Sequence, residues 1–402
     1  MTSEVLVMNS MAVVLAADSA LTRSSNNSNL PHYSNGGNKI FSLSTAKRAN
    51  IGIMIYNSMH ICGAPWELLI KSFRHENDDQ TFQTVQDCSD NFFKFIRENE
   101  TLISNEMKKK IFDKRLMDIL NNITFIKPNQ LKDELSNKFE PNKGNQPELD
   151  DKQKLHFEEI ISKYSESVEM HNANKSDEEK LDALGEDFCI FIFKAHINGD
   201  LDKKFNDYTG IVISGFGETE EYPAFIENIC YGFSSHGLSL EQKNKESISV
   251  NNQASLQGFA QSEMIELLLN RIDKDAFEII MRTLQNEVLP NLNELNIDKN
   301  ALEKVYNNFK DKSKINYINF RSQKFILPLK NSISAMSILE LSTLAGTIVE
   351  LEALNEKLSR PSQSVGGPTD IISITKNEGL IWIKRKHYFE RDLNPKYFKN
   401  LN

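Results

Sequence analysis

Cysteine is scarce in this 402-residue chain: Cys62, Cys88, Cys189 and Cys230 stand far apart and form no CxxC. That spacing excludes zinc-ribbon and thioredoxin-type chemistry, and four thiols are too few for a disulfide scaffold of this length. The eight histidines include no HExxH and no i, i+4 pair in a helical stretch, so a zinc-hydrolase motif is missing too. Neither GxxxxGK(S/T) nor GxGxxG occurs. The expected complement of cofactors and metals is therefore none. No apolar run approaches the roughly 20 residues of a membrane-spanning helix, so no membrane partner is expected. Cations are short relative to anions, 47 Lys and Arg against 56 Asp and Glu, for a formal net charge of −9. Nucleic-acid binding is not expected from that balance, because it rests on Lys and Arg neutralising phosphates. What remains is an ordinary globular composition, 39% hydrophobic and 26% charged, long enough for a sizeable core.

The first apolar text, residues 5–17 (VLVMNSMAVVLAA), has the look of a secretory signal. The basic region that should precede it is missing, Glu4 stands there instead, and Asn9 and Ser10 interrupt the run. A hairpin fits better: strands at 5–8 and 12–17 with a turn at Asn9-Ser10. A cytoplasmic chain is expected.

Residues 24–38 are rich in Ser, Asn and Gly and read as a loop, followed by β-type runs at 39–43 and 51–56 and an amphipathic helix from 66 to 74. From 87 to 187 the text turns Lys/Glu/Asn-rich with helical periodicity. Strand signals return at 210–215 and 224–232, and Gln257-Gly258 leads into a helix. A second polar helical stretch runs from 275 to 314, then a long amphipathic helix from 338 to 358. Its apolar stripe, Leu341, Leu344, Ile348, Leu351 and Leu354, is expected to be core. A break at Val365-Gly366-Gly367-Pro368 precedes a closing hairpin at 370–375 and 379–384. Hairpins at both ends around a helical middle predict an α+β fold, with sheets sharing the termini and helices packed outside. The basic run Trp382-Ile383-Lys384-Arg385-Lys386-His387 reads as a solvated strand edge.

Taken together, Thr2, then AVVLAADSALT ending at Thr22, NKIFSL from Asn38 and IGIMIY from Ile51 resemble the proteasome β-subunit family and its bacterial relative HslV. The later text, with Gly366-Gly367 and Gly379-Leu380-Ile381-Trp382, continues the likeness, and the ensemble is similar to a group of bacterial HslV-related proteins of undefined role. The resemblance implies a four-layer helix–sheet–sheet–helix sandwich of the N-terminal nucleophile (Ntn) hydrolase type, carrying a large helical insertion. Residues 1–86, 188–274 and 338–402 would form the core, 87–187 the insertion and 275–337 a second helical segment.

The resemblance also implies a threonine-dependent amide-bond hydrolase, most simply a peptidase. Thr2 would be nucleophile and base, Asp18 and Lys39 its charge partners, and the N–H at Asn57 the oxyanion donor. A threonine hydroxyl needs a base, and an N-terminal residue carries one in its α-amine, with a pKa of about 7.7–8.0. That amine exists only once Met1 is removed. Lys39 would favour the alkoxide and Asp18 would hold Lys39; Lys39 is expected at a cleft edge, packing little. The implied partners are a peptide or protein substrate and further copies of the chain, with room for an ATPase or adaptor.

Several positions depart from the family pattern. Ala20 stands where the family has Arg, Tyr56-Asn57-Ser58 replaces a Gly-rich oxyanion segment, and Val365 and Ser362 replace a Ser and an Asp. Gln261 or Ser262 is a substitute source of polar contact. Two other readings stay open: a non-catalytic structural or interaction subunit on the same fold, and a small-molecule amidase.

Overall fold

The computed structural model describes residues 2–25, 28–43, 50–77, 80–111, 114, 208–234, 237–270, 299–359, 366–387, 389, 393 and 394. Most of the helical stretch read at 87–187, and the first part of that at 275–314, lie outside the described residues. In chain order the strands begin with β1 (Ser3–Asn9), β2 (Ala12–Ala17), β3 (Leu21–Ser25), β4 (Ser28–Ser34), β5 (Ile40–Ser42) and β6 (Ile51–Asn57). A small hairpin, β7 (His60–Ile61) and β8 (Ala64–Pro65), leads into helices α1 (Trp66–Glu76) and α2 (Val85–Glu98). Next come β9 (Thr209–Gly215), β10 (Ala224–Ser234), β11 (Gly237–Ser247), β12 (Ala254–Ala260) and α3 (Glu263–Asn270). Helix α4 (Lys299–Arg321) continues through a π-helical turn at Ser322–Ile326 into α5 (Leu327–Ser334). Helix α6 (Ile338–Ser359) and the hairpin β13 (Asp370–Thr375) and β14 (Gly379–Lys384) complete the described elements.

Two five-stranded antiparallel sheets result, ordered β12-β1-β2-β13-β14 and β11-β10-β9-β6-β5. Both terminal hairpins therefore lie in one sheet, joined where Leu15 of β2 pairs with Ile372 of β13. The period of two along a strand sorts the side chains. Leu6, Met8, Val13 and Leu15 join Met54, Tyr56, Val212 and Phe225 of the other sheet in one buried cluster. Val5, Val7, Val14 and Ala16 instead pack with Leu341, Ala345, Ile348 and Val349 of α6. The far side of the second sheet buries Ile53, Ile211 and Ile213 against Trp66, Leu69 and Phe73 of α1 and Phe92 of α2. Strands buried on both faces read as continuous apolar text, which is why residues 5–17 imitate a signal sequence.

Three expectations change on contact with the fold. The Ser/Asn-rich stretch from 24 forms the β3–β4 hairpin, with Leu21 opposite Ser34. The first turn is looser than two residues: the ladder ends at Met8–Val13, and the Asn9 side chain closes it by accepting from the N–H groups of Met11 and Ala12. The stripe of α6 is core only in its first half, since Leu351 and Leu354 are 42% and 52% exposed.

Candidate active site

Thr2 immediately precedes β1, Asp18 immediately follows β2, and Lys39 immediately precedes β5 in the opposite sheet. The β1–β2 register, with Glu4 opposite Ala17, brings the first two together. The backbone N–H of Asp18 donates to the Ser3 carbonyl at 3.2 Å, and the Ser3 N–H donates to Asp18 Oδ1 at 3.1 Å. Asp18 Oδ2 accepts from the N–H groups of Ala20 at 3.2 Å and Gly366 at 2.9 Å. The Lys39 ammonium completes this shell as an ion pair on Asp18 Oδ1.

The Gly366-Gly367 turn thus wraps the Asp18 carboxylate. Their φ values of 147° and 78° lie where side chains are strained, and a Cβ on Gly367 would come within 3.0 Å of Asn35. Beside the turn lies an open cleft of about 290 Å³, lined by Asp18, Thr369 and the Val349, Ala353 and Leu354 side of α6. Ser362 and Val365 lie outside the described residues.

Lys39 does not sit at a cleft edge. It is 1% exposed, one of the largest fully buried side chains, immediately before an edge strand whose Ile40 packs between the sheets. A buried ammonium needs partners, and it has two. Besides Asp18, Glu4 Oε1 lies 3.4 Å from Lys39 Nζ.

Glu4 is the residue that the sequence reading misses as part of the site. It is 0% exposed, and its Oε2 accepts from Thr2 Oγ1 at 3.0 Å. Burial pushes its carboxyl up to about 8; Lys39 opposes that shift, Asp18 adds to it, and the Thr2 hydroxyl opposes it. The sequence reading starts the strand at residue 5; once β1 begins at Ser3, an acid two residues after Thr2 shares its face.

Asn57, at the end of β6, has φ 68°, in the left-handed region that Asn tolerates better than most residues. The backbone shape expected of glycine is therefore kept without glycine. Its side-chain amide donates to the Tyr208 carbonyl at 2.8 Å, and the Ser58 N–H reaches the same oxygen at 3.2 Å. The Trp66 indole N–H donates to Thr209 Oγ1 at 2.8 Å, and that hydroxyl donates to the Ser58 carbonyl at 3.0 Å, pinning the turn from behind.

Gln261 reaches Thr2 through its backbone, with its N–H donating to the Thr2 carbonyl at 3.0 Å. Its side chain turns away to Glu356 Oε2 at 3.2 Å, while Ser262 bonds Glu266 at 3.4 Å. Neighbouring Glu352, its pKa raised by burial, accepts the Met264 N–H at 2.6 Å at the start of α3. These contacts tie α6 to the end of β12 beside Thr2. The basic run from Trp382 is mostly paired: Lys384 with Glu350 at 3.2 Å, Lys386 with Asp370, and Arg385 over the Trp382 ring at 4.5 Å.

Among the described residues no group of His, Cys, Asp and Glu could hold a metal ion, and no helix is long and apolar enough to cross a membrane. No family model and no curated protein matches the chain. Among solved structures it is similar to an Anbu mutant from Hyphomicrobium sp. strain MC1, at 10% identity and TM-score 0.31, over 100% of this chain and 95% of that one. It is also similar to Anbu (ancestral beta-subunit) from Yersinia bercovieri, at 8% identity and TM-score 0.30, over 99% of this chain and 94% of that one.

Proposed function

We propose that this chain is a proteasome-like hydrolase of the N-terminal nucleophile type, cutting amide bonds with the Thr2 hydroxyl once Met1 is removed. The observation that carries this reading is the meeting of Thr2, Asp18 and Lys39, which are distant in sequence and come from two different sheets, in one buried polar cluster. A lysine held at 1% exposure beside a carboxylate is an expensive thing to build for stability alone. The layering expected of such an enzyme is supported by the three clusters, one between the sheets and one beneath the helices on each outer side. In this reading residues 87–187 and 275–337 carry additions to that core, while α2 and α5 within those ranges pack into it through Phe92 and Ile333.

The roles follow from position. Thr2 Oγ1 attacks the carbonyl carbon, and its α-amine, freed by cleavage of the Met1–Thr2 bond, moves the proton. Lys39 stabilises the oxygen as it gains charge, and Asp18 fixes Lys39 through a shell of three backbone N–H groups. The N–H at Asn57 is assigned to the oxyanion. The open cleft along α6 reaches the site only at Asp18 and the Gly366-Gly367 turn.

A second reading rests on one specific fact: Thr2 is only 5% exposed, as suits a structural subunit that never meets a substrate. One experiment separates the two. Purified protein is weighed intact, then treated with an acylating β-lactone, and the adduct is mapped. The catalytic reading expects a mass lacking Met1 and an ester on Thr2 that Thr2→Ala abolishes. Full hydrolytic activity from a chain that retains Met1 would refute the α-amine mechanism. The proposed assembly is a cytoplasmic homo-oligomer, and a monomer in sedimentation at micromolar concentration would reject it.

A further inference from the structure

The reading above leaves one buried acid in the cluster without work. Glu4 and Thr2 stand two apart and share the inward face of the first sheet. The strand neighbours of Glu4 are Ala17 and Phe259, which offer its side chain no donor. One carboxyl oxygen takes the Thr2 hydroxyl at 3.0 Å, while the other is buried without a hydrogen bond, 3.4 Å from an ammonium already committed to Asp18. A carboxyl held with one oxygen on a reactive hydroxyl and the other only beside an ammonium it shares with Asp18 is poorly placed for stability. It is well placed to take a proton.

Resting on the Thr2 reading, we propose that Glu4 is a further catalytic residue, whose carboxylate holds the Thr2 hydroxyl and accepts its proton as the oxygen attacks. The steps balance. The Oγ1–H bond breaks to Glu4 Oε2, an Oγ1–C bond forms at the substrate carbonyl, and the amide C–N bond breaks. The leaving nitrogen takes that proton back from Glu4, relayed by the α-amine. Water then attacks the Thr2 ester, giving one proton to Glu4. The ester C–O bond breaks, and Thr2 Oγ1 recovers the proton.

The groups facing Glu4 fit this part. They are the Thr2 hydroxyl from its own strand, Asp18 after β2, Lys39 before β5, and the Tyr56 phenol on β6. Tyr56 is held neutral, because burial and its 2.5 Å bond to Glu227 push its pKa far up. With Thr2 still in a peptide bond, burial outweighs the Lys39 charge and keeps Glu4 protonated. Release of the α-amine adds a positive charge on the same residue as the hydroxyl, which favours the carboxylate. Removal of Met1 therefore turns the acid into a base, with the α-ammonium as its counter-charge and proton relay.

The test uses full-length protein whose mass confirms a free Thr2, and follows β-lactone acylation at Thr2 from pH 5 to 9. E4Q keeps an acceptor oxygen and the size of the side chain, so it should fold. It is expected to acylate about a hundred-fold more slowly, consistent with loss of a general base. E4D keeps the acid but draws it back from Oγ1, and should be slowed while keeping a wild-type pH profile. E4Q or E4D acylating at the wild-type rate overturns the proposal and leaves the Thr2 reading standing. Trimmed wild type that is never labelled overturns both.

Discussion

A buried acid that prefers its proton makes stability fall as pH rises, and Glu4 gives that fall a size. In the chain whose Thr2 nitrogen is an amide, the Glu4 carboxyl goes from 4.5 when unfolded to about 8 when folded. Between those values the folded state binds one more proton than the unfolded state, so unfolding free energy drops by about 1.4 kcal/mol per pH unit. The penalty is absent below the lower value and complete above the upper one, at roughly 5 kcal/mol in all. Glu4→Gln removes the titrating group. Urea unfolding of wild type and E4Q, both blocked by an N-terminal extension, should show E4Q gaining about 3 kcal/mol relative to wild type between pH 5.5 and 7.5. In trimmed protein the α-ammonium draws the Glu4 pKa back down, and the gain shrinks. A difference between the blocked proteins that does not change with pH would show that Glu4 is ionised throughout, and the account of its burial would be wrong.

The remaining expectations concern its neighbours. Lys39→Ala should abolish Thr2 acylation and also cost about 3–5 kcal/mol in urea unfolding, because Asp18 is left charged and unpaired in the interior; a K39A protein as stable as wild type would show that the cation is not buried. Asn57→Gly should hold or raise stability by a few tenths of a kcal/mol and keep acylation, whereas Asn57→Val, strained at φ 68°, should lose about 1–3 kcal/mol. Equal stability of the two Asn57 variants would contradict the left-handed backbone. Gly210→Ala would put a Cβ 1.9 Å from the Tyr56 ring, since the ring lies across that glycine, and should lower stability by about 1–3 kcal/mol in the same assay. An unchanged unfolding midpoint would mean the ring is not there.

The elements legible in the sequence are those whose burial matches their period. The hairpin of β13 and β14 can be read to the residue because apolar text stops at a turn that needs Gly379 at φ 72°. By contrast β11, GLSLEQKNKES, is an edge strand with no fully buried position, so no apolar pattern marks it. β12 carries Gln257 and Gly258 where a strand usually carries branched side chains, and it reads as a lead into a helix. The site is legible where spacing carries it, at Thr2, Asp18 and Lys39. Glu4 is hidden because a charged residue near the start of a chain is ordinarily solvated, and only its register on an inner strand makes it otherwise.

That register bears on whether the cluster is structural or chemical. A buried ion pair of Lys39 and Asp18 alone would be a closed structural device, its charges cancelled and Asp18 satisfied by three backbone donors. Adding Glu4 spoils that closure, since two acids now face one ammonium with an oxygen left over. Packing gives no reason for the excess, because an apolar side chain of similar volume between Ala17 and Phe259 would avoid the desolvation cost. The excess makes sense if a second positive charge arrives, and the Thr2 nitrogen, on the residue whose hydroxyl already bonds Glu4, is able to carry one. Met1 removal provides it. The cluster is then neutral with every acid ionised, the hydroxyl lies against the Glu4 carboxylate as its base, and the α-ammonium stands by to protonate the leaving nitrogen.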